Sequence, residues 1–405
     1  MKKALEEQLL VIKRNAEEII PEDELVRKLE RSLKEKKPLR VKQGFDPTAP
    51  DIHLGHTIGL RKLRQFQELG HTAILIVGDY TGMVGDPSGR SETRPQLSHD
   101  EVMKNSETYL KQFFKIVDKS KTEVHYNGEW FSKMNFTEIM KLASLTTVAR
   151  MLERDDFSER MKNRLPIGIH ELFYPIMQGY DSVAIQADIE IGATEQKFNL
   201  LVARQIQEAF KMDPQVVLTL PVLEGTDGAQ RMSKSTGNYI GIDETPKEIF
   251  GKTMSIPDSL IMRYFELASD LSMKEIEAIR KNLANPAKNP MEEKKRLAWE
   301  LVRIYHDREA ADRARDDFIK QFTKRELPEE MPTLSIAAES GELGIKDLLR
   351  ETGMASSGSE AWRLVDQGAV EIDGRRVVER NHKQSLKNSF VLKVGRKYVR
   401  VVPIR

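Results

Sequence analysis

The chain has 405 residues, of which 39% are hydrophobic and 31% charged, a composition typical of a globular protein with two or three domains. It contains no cysteine, which excludes disulfides, a thiol nucleophile and a cysteine-based zinc site, and its net charge of +1 neither favours nor excludes nucleic-acid binding. The first 20 residues lack the apolar core of a signal peptide, and no apolar run approaches the roughly 20 residues that cross a bilayer. We therefore expect a soluble cytoplasmic protein.

The first 240 residues alternate strand-like apolar runs with helical patterns. Residues 6–36 form a charged, helically spaced stretch that Pro21 interrupts. The predicted strands then fall at 39–45, 72–77, 123–126, 187–191 and 216–220, the predicted helices at 54–69, 100–116 and 196–210, and a glycine-rich loop at 78–89. Because nearly continuous apolar strands that alternate with helices are typical of parallel sheets covered on both faces, residues 1–240 are predicted to form an α/β domain with a doubly wound parallel sheet.

The strand-like runs stop after about residue 241 and return only near the C-terminus. An all-helical domain is predicted for 241–326, and a linker that contains prolines and acidic residues for 327–342. A small α+β domain is predicted for 343–405, with helices at 345–353 and 359–368 and strands at 369–372, 390–394 and 398–402. This domain has 13 Lys and Arg against 7 Asp and Glu, so its net charge is +6 and that of the remaining chain is −5. The positive charge favours attraction to a nucleic-acid backbone, although an ordinary basic module is the alternative.

Two histidines, in the motif His53-Leu54-Gly55-His56, lie where a strand and loop lead into a predicted helix. Their spacing of three places both imidazoles on one helical face, beside N–H groups and a positive dipole end that suit phosphate. Because Gly55 has no side chain, a flat base could approach the backbone there. Two surface histidines are the simpler alternative. A metal pair is less favoured, because helical metal pairs usually stand four apart and no carboxylate falls at matching spacing.

A second motif, Arg231-Met232-Ser233-Lys234-Ser235, lies in a glycine-flanked loop after the strand at 216–220. Its two cations could close over a triphosphate and its two serines add hydrogen-bond donors, although a solvated basic loop is the commoner use of such a cluster. The motif begins 178 residues after His53. Both motifs follow the carboxyl end of a predicted strand, where ligands bind in open α/β sheets.

Together the two motifs resemble the His-Ile-Gly-His and Lys-Met-Ser-Lys-Ser signatures of class I aminoacyl-tRNA synthetases, from which Leu54 and Arg231 depart mildly. Residues 44–49, 85–94 and 174–181 resemble the tyrosyl members of this class. The resemblance runs from about residue 41 to residue 405. It implies a Rossmann-like catalytic domain that forms tyrosyl adenylate from ATP and L-tyrosine and then passes the tyrosyl group to tRNA.

The same resemblance assigns roles to individual residues. It implies that the catalytic residues are His53, His56, Arg231 and Lys234. It implies that the ATP-binding residues are Asp46, Thr48, Gly55, Arg90, Arg94, Glu195, Ser233 and Ser235. It implies that the tyrosine-binding residues are Asp86, Tyr174, Gln178, Asp181 and Gln196, with Asp181 receiving the phenolic hydroxyl and Asp86, Tyr174 and Gln178 the ammonium group. Phenylalanine lacks the hydroxyl, so a buried Asp181 facing it would lose its partner, which is costly.

Three positions depart from the family pattern. Residues 192–196 read Gly-Ala-Thr-Glu-Gln where the family usually has Gly-Gly-Thr/Ser-Asp-Gln. Glu195 is one methylene longer than the aspartate expected near the adenylate ribose, and Ala193 narrows the approach to the backbone. Lys42 stands where one branch of the family has a tyrosine that bonds the substrate phenol, and its role is open.

Residues 345–372 resemble a small RNA-binding domain shared with a ribosomal small-subunit protein, and they imply tRNA(Tyr) as a partner. By resemblance, the helical residues 246–322 would recognise the anticodon, and 146–164 would belong to the region that forms homodimers and touches the acceptor stem. Trp362 is expected in the core rather than on a base-stacking surface. The chemistry implies that Mg²⁺ arrives with ATP and has few protein ligands, and no zinc is expected.

Two rival functions stay open at this point. A tryptophanyl enzyme shares the catalytic architecture, but Asp181 and the C-terminal domain favour tyrosine. A non-catalytic RNA-binding protein on a synthetase scaffold is supported only by Glu195 and Ala193, because both signatures are present.

Overall fold

The computed structural model describes residues 1–47, 51–88, 98–323, 331–337, 341–395 and 397–404. The chain divides into two compact units, Met1–Asp316 and Asp317–Arg405. Among the described residues, no helix is both long enough and apolar enough to cross a membrane.

A six-stranded sheet forms the centre of the first unit. Its strands are β1 (Glu18–Ile20), β2 (Arg40–Phe45), β3 (Thr72–Val77), β4 (Thr122–Tyr126), β5 (Ile189–Ala193) and β6 (Val216–Leu220). They lie in the order β1-β6-β5-β2-β3-β4, and all neighbours are parallel except β1, which runs antiparallel to β6. The five predicted strands and the doubly wound parallel sheet are confirmed. β1 was not predicted, because three residues are too short to show a strand period.

The strand order reverses between β2 and β5. From β2 the chain builds outward through β3 and β4, and later it builds β5 and β6 on the other side of β2. In open α/β sheets a crevice for ligands forms at such a reversal, beyond the carboxyl ends of the strands. The topology therefore places a binding site where β2 and β5 end.

Helices cover this sheet and continue beyond it. They are α1 (Lys2–Lys13), α2 (Glu22–Glu35), α3 (Leu54–Glu68), α4 (Thr81–Val84), α5 (His99–Phe113), α6 (Gly128–Phe131), α7 (Phe136–Ala143), α8 (Val148–Met151), α9 (Asp155–Lys162), α10 (Tyr174–Ala184), α11 (Lys197–Ala209), α12 (Pro246–Ser255), α13 (Ile261–Ala268), α14 (Met273–Leu283), α15 (Pro290–Tyr305) and α16 (Arg308–Phe318). The predicted helical stretch after residue 246 is confirmed. Pro246 and Pro290 each occupy the first turn of a helix, where proline is tolerated because no intrahelical N–H is needed.

The helix α4 corrects the predicted loop at 78–89. Its turn is closed by backbone hydrogen bonds from Gly82 to Gly78 and from Gly85 to Thr81, of 2.9 and 2.8 Å. The glycines in this segment led to the prediction of a loop, but Gly78 and Gly85 lie on either side of a single helical turn. Gly85 ends the helix with a φ of +80°.

Close packing of α10 on α11 fixes the helix that carries the predicted tyrosine-binding residues. A Cβ atom added at Gly179 would lie 2.6 Å from the Ile206 side chain and 3.1 Å from the Ala203 backbone. Only glycine allows this approach, so Gly179 determines how closely α10 packs on α11.

The second unit has its own α+β core. Its strands are β7 (Thr333–Ala337), β8 (Glu342–Gly344), β9 (Val370–Ile372), β10 (Arg375–Arg376), β11 (Lys383–Ser385), β12 (Phe390–Val394) and β13 (Lys397–Ile404), and its helices are α17 (Ile345–Glu351) and α18 (Gly358–Asp366). Five strands form a sheet in the order β10-β9-β12-β13-β7, and β11 pairs with β8. Trp362 packs against the core, as predicted. The strand β7 lies inside the segment predicted as a linker and pairs in parallel with β13.

Candidate active site

A cavity of about 540 Å³ opens at the carboxyl ends of β2, β5 and β6. Twelve of the predicted site residues line it, namely Asp46, His53, Gly55, His56, Asp86, Tyr174, Glu195, Gln196, Arg231, Ser233, Lys234 and Ser235. Gln178 and Asp181 lie outside this lining, and Thr48, Arg90 and Arg94 lie outside the described residues. The two motifs, 178 residues apart at their starts, thus share one cavity.

Backbone pairing joins the first motif to the chain that follows the second motif. Leu54 N donates to Ile240 O at 3.0 Å, and Ile242 N donates to Ile52 O at 3.1 Å. The start of α3 is therefore hydrogen-bonded to the chain that follows the 231–235 loop. This short bridge sets the histidines opposite the loop cations.

His53 caps α3 and His56 occupies its first turn. His53 N donates to His56 Nδ1 at 3.3 Å, and the two rings stack with centroids 3.9 Å apart. A Cβ atom at Gly55 would stand 3.1 Å from the His53 ring, so glycine leaves room for this stack. Since His56 Nδ1 accepts a hydrogen bond, its ring proton belongs on Nε2, which can act as a donor.

Both histidines are neutral at pH 7. Burial lowers the pKa of His53 far below its ordinary value, and His56, Lys234 and Arg231 lower it further. Burial, with the charges of Lys234 and Arg231, lowers the pKa of His56 to about 4. Each ring thus offers one N–H without adding a positive charge of its own, while the loop supplies the cations.

The loop cations have carboxylate partners in this structure. Arg231 pairs with Glu195, and Lys234 Nζ lies 3.8 Å from Asp51 Oδ2. The buried Asn238, which sequence reasoning missed, anchors the loop: its Oδ1 accepts from Ser233 N at 2.8 Å and its Nδ2 donates to Arg231 O at 3.1 Å. A lone asparagine after a glycine carries no distinctive sequence signal, so only the contacts reveal this role.

Acidic and polar groups, among them Asp86, Ser88, Gln196 and Tyr174, form one wall of the cavity. Asp86 accepts from Ser88 N at 2.9 Å, Ser88 Oγ at 2.6 Å and Gln196 Nε2 at 3.1 Å. Burial alone would raise the pKa of Asp86, but Arg154 and these hydrogen bonds hold it below its usual range. Asp86 therefore stays ionised. Tyr174, whose hydroxyl donates to Asp46 Oδ2 at 2.8 Å, lines the same wall.

Arg154 is a second residue that sequence reasoning missed. Its Nη2 lies 2.7 Å from Ser88 Oγ and 3.5 Å from Asp86 Oδ1, and its Nη1 donates to Asn199 Oδ1 at 2.7 Å. The side chain is buried. It belongs to the 146–164 segment of the predicted dimer region, and its guanidinium contacts Asp86 and Ser88 of the cavity wall.

Asp181 lies behind the cavity lining, held by two donors. Trp130 Nε1 donates to Oδ1 at 3.0 Å, and Asn127 Nδ2 lies 3.4 Å from Oδ2. Asn127 also donates to Thr81 Oγ1 at 3.0 Å, which in turn donates to Asp46 Oδ1 at 2.8 Å. Burial raises the pKa of Asp181 to about 7, although Lys42, Trp130 and Asn127 oppose the shift. This carboxyl group is thus balanced between its two protonation states near neutral pH.

Comparisons with known proteins agree with this geometry. A family model described as "tRNA synthetases class I (W and Y)" matches residues 34–323. The chain is 51% identical to the tyrosine–tRNA ligase of Carboxydothermus hydrogenoformans over 98% of both chains, and 50% identical to that of Thermotoga maritima over 98% of this chain and 97% of that one. The crystal structure of a tyrosyl-tRNA synthetase from Archaeoglobus fulgidus, solved with L-tyrosine, has a TM-score of 0.63 at 24% identity, covers 77% of this chain and 99% of that chain, and shares the fold.

The chain belongs to the bacterial-type tyrosyl-tRNA synthetases of class I. Members of this family are tyrosine–tRNA ligases that use ATP as a substrate, and the ligase function is supported over the tryptophanyl and non-catalytic alternatives.

Two of the departures from the tyrosyl-tRNA synthetase pattern contact each other. Glu195 replaces a shorter aspartate and Arg231 replaces a lysine, and these two cavity-lining residues form an ion pair. Both side chains are about one-third exposed, at 34% and 35%. Each substitution retains the charge of the family residue, so the polarity of this part of the synthetase site is preserved.

Within the described ranges, no group of three or more His, Asp or Glu side chains could hold a metal ion. The carboxylates on the cavity wall are engaged with hydroxyl, amide or guanidinium groups.

Proposed function

We propose that the cavity first joins L-tyrosine to ATP as tyrosyl adenylate and then transfers the tyrosyl group to tRNA(Tyr). The observation that carries the proposal is that both signature motifs line one cavity together with an ionised Asp86. The pairing of residues 52–54 with 240–242 holds the first motif beside the chain that follows the second. That arrangement has donors for phosphate on one side and an acceptor for an ammonium group on the other.

In the first step a tyrosine carboxylate oxygen attacks the α-phosphorus in line. A new P–O bond forms, the bond to the β-phosphate oxygen breaks, and pyrophosphate leaves with its electron pair. Charge grows on the phosphate oxygens. The neutral N–H groups of His53 and His56 would stabilise it, and Arg231 and Lys234 would hold the pyrophosphate, with Arg90 or Arg94 as further partners.

The nucleotide would lie against the start of α3. Gly55, which has no side chain, would let the base approach the backbone. Glu195 would accept a hydrogen bond from a ribose hydroxyl once its ion pair with Arg231 has opened. The remaining ATP contacts are assigned to Asp46, Thr48, Ser233 and Ser235. Because Arg231 would move from Glu195 to the pyrophosphate, the ion pair between them opens as the nucleotide binds.

Magnesium would bind as the partner of the ATP phosphates and neutralise part of their charge. The residues that face the phosphates are cations and neutral donors, so water and phosphate oxygens would supply most metal ligands.

Tyrosine would place its ammonium group among Asp86, Tyr174, Gln178 and Gln196, and its phenol toward Asp181. The Asp181 carboxylate already accepts from Trp130 and Asn127. A carboxylate accepts about four hydrogen bonds, so it has capacity for the phenol as well. Phenylalanine would leave that capacity unused and is rejected for this reason.

Transfer RNA would be bound by the C-terminal part of the chain. The predicted RNA-binding domain at 343–405 has a net charge of +6, and the helical residues 241–326 would read the anticodon, with 327–342 as the connecting segment. The proposed location of the enzyme is the cytoplasm.

A homodimer is part of the proposal. Seven large apolar side chains are exposed within residues 136–169, namely Phe136, Met140, Leu145, Val148, Met161, Leu165 and Ile169. Apolar side chains in such numbers favour burial against another protein surface. The stretch overlaps 146–164, the segment that the sequence assigned to dimer formation.

The deciding experiment is ATP–pyrophosphate exchange with tyrosine, tryptophan and phenylalanine in parallel. We expect exchange with tyrosine alone, followed by transfer to tRNA(Tyr). Exchange with tryptophan instead would assign the tryptophanyl activity. Folded protein that binds tRNA but exchanges with no amino acid would contradict the enzyme function.

A further inference from the structure

Lys42 and Glu190 form a fully buried ion pair at the reversal of the sheet. They are register neighbours on β2 and β5, both have 0% exposed side chains, and Lys42 Nζ lies 2.9 Å from Glu190 Oε1. Burying two charges costs several kcal/mol per ion before the pair forms. A buried ion pair of this kind therefore need not stabilise the fold, so its presence requires another explanation.

All three N–H donors of the Lys42 ammonium group are used inside the protein. Besides Glu190, they bond Gln178 O at 2.8 Å and Ser182 Oγ at 2.7 Å. An ammonium group has three donors and no acceptor. Lys42 thus has no donor left for a substrate phenol, unlike the tyrosine that stands at this position in one branch of the family.

The Glu190 carboxylate is equally occupied. Its Oε1 accepts from Lys42 and from Gln178 Nε2 at 2.9 Å, and its Oε2 accepts from Ser182 Oγ at 3.2 Å and from the Gln215 amide. Four donors match the capacity of a carboxylate. Both charges are satisfied without a ligand.

The ion pair holds Gln178 at two points. Lys42 binds its backbone carbonyl and Glu190 binds its side-chain amide. Because a carboxylate only accepts, the NH₂ of Gln178 must face Glu190 and its Oε1 must face the other way. On that side Gln178 Oε1 accepts a hydrogen bond from Asn199 Nδ2 at 3.0 Å, and the same Nδ2 lies 3.5 Å from Asp86 Oδ1.

We propose that Lys42 and Glu190 are a positioning pair that fixes the carbonyl oxygen of Gln178 toward the ammonium group of the amino acid. The pair sets affinity for that ammonium group and leaves phenol recognition to Asp181 and phosphate chemistry to the signature motifs. The inference rests on the proposed role of Gln178 in tyrosine binding. It gives Lys42 a different function from that of the tyrosine found there in other family members.

The test compares ligands that do and do not have the ammonium group. The variant Lys42→Met/Glu190→Gln removes both charges together, so neither remains buried alone. Inhibition of exchange by tyrosinol, which keeps the amine, is measured beside inhibition by 3-(4-hydroxyphenyl)propionate, which lacks it. Because the Lys42 charge also lowers the pKa of Asp181, each of the three ligands should lose some affinity through its phenol. We expect tyrosinol and tyrosine to lose about tenfold or more beyond the loss of the amine-free acid.

The buried pair Arg160–Glu171, with an Nη1–Oε1 distance of 2.8 Å, provides a matched control. Arg160→Met/Glu171→Gln should weaken the two inhibitors equally if it has any effect. If the Lys42/Glu190 variant does not fold, Ser182→Ala leaves the ion pair intact, removes a hydrogen-bond partner of both charges and gives the same comparison with a smaller expected difference.

Equal loss for both inhibitors, or no loss, would overturn the positioning role. Wild-type protein without tyrosine-dependent exchange would instead contradict the proposed function, so the two failures are distinguishable.

Discussion

The indole Nε1 of Trp130 donates to Asp181 Oδ1 at 3.0 Å, which links α6 to α10 behind the cavity. The hydrogen bond favours the ionised carboxyl group and opposes the effect of burial on its pKa. Trp130 thus supports the group that would distinguish tyrosine from phenylalanine.

Trp130→Phe should weaken tyrosine binding at pH 7 by about three- to tenfold, because it removes one hydrogen bond to a charged group and raises the pKa of Asp181 further. Tyrosine KM in the exchange assay measures the effect. Trp299→Phe, which removes an indole hydrogen bond to Asp312, is a matched control and should leave tyrosine KM unchanged.

Asp181→Ala should abolish the preference for tyrosine over phenylalanine. The variant removes the only carboxylate that the sequence assigns to the phenol, so the two amino acids become nearly equivalent. The ratio of their kcat/KM values measures the change. Asp23→Ala, on the exposed face of α2, should keep the wild-type ratio. Retained preference in the Asp181 variant would remove this residue from the phenol site.

The pH dependence of tyrosine use should follow Asp181. Its pKa is raised to about 7, so the carboxyl group gains a proton as the pH falls from 7 to 6 and accepts the phenol less well. We expect kcat/KM for tyrosine to fall about fivefold over that interval. The pKa of His56, at about 4, is too low to contribute there. Asp181→Asn should flatten the profile, and an unchanged slope would assign it to another group.

Lys234→Ala should slow tyrosyl adenylate formation about a hundredfold while tyrosine KM stays within about twofold, because the lysine would act on the pyrophosphate alone. Single-turnover formation of the adenylate separates the two quantities. Lys247→Ala, an exposed lysine of α12, is the control. A large rise in tyrosine KM with an unchanged rate would contradict the assignment.

Glu195→Gln should free the 231–235 loop in the absence of nucleotide. A partly exposed ion pair contributes about 1 kcal/mol or less, so trypsin should cleave after Arg231 and Lys234 up to about fivefold faster in the variant. Wild-type protein in high salt should approach the variant rate, since salt screens the pair. Equal cleavage rates at low salt would show that Glu195 does not restrain the loop.

Much of this architecture follows from local sequence patterns. The apolar runs at β3 and β6 are buried along nearly their whole length, and the histidine motif begins α3 as its position suggested. The residues of both motifs that line the cavity could be anticipated because they follow the carboxyl ends of strands.

The supporting residues could not be predicted, because their partners are distant in sequence. Trp130 and Asp181 are 51 residues apart, and Arg154 and Asp86 are 68 apart. A single tryptophan or arginine in an amphipathic stretch ordinarily serves packing or solvation. The position of Asp181 behind the cavity lining also depends on how α6 packs against α10, and the spacing of apolar residues in the sequence does not predict that packing.

The pairing of β7 with β13 determines where a recombinant fragment of the C-terminal unit should begin. Five register pairs, from Thr333–Arg400 to Ala337–Ile404, join these strands. A truncation that starts at Leu343 would remove β7 and leave the N–H and C=O groups along one side of β13 unpaired. Such an exposed edge can pair with other chains and promotes aggregation. Fragments intended for RNA-binding assays or NMR should therefore start upstream of Thr333.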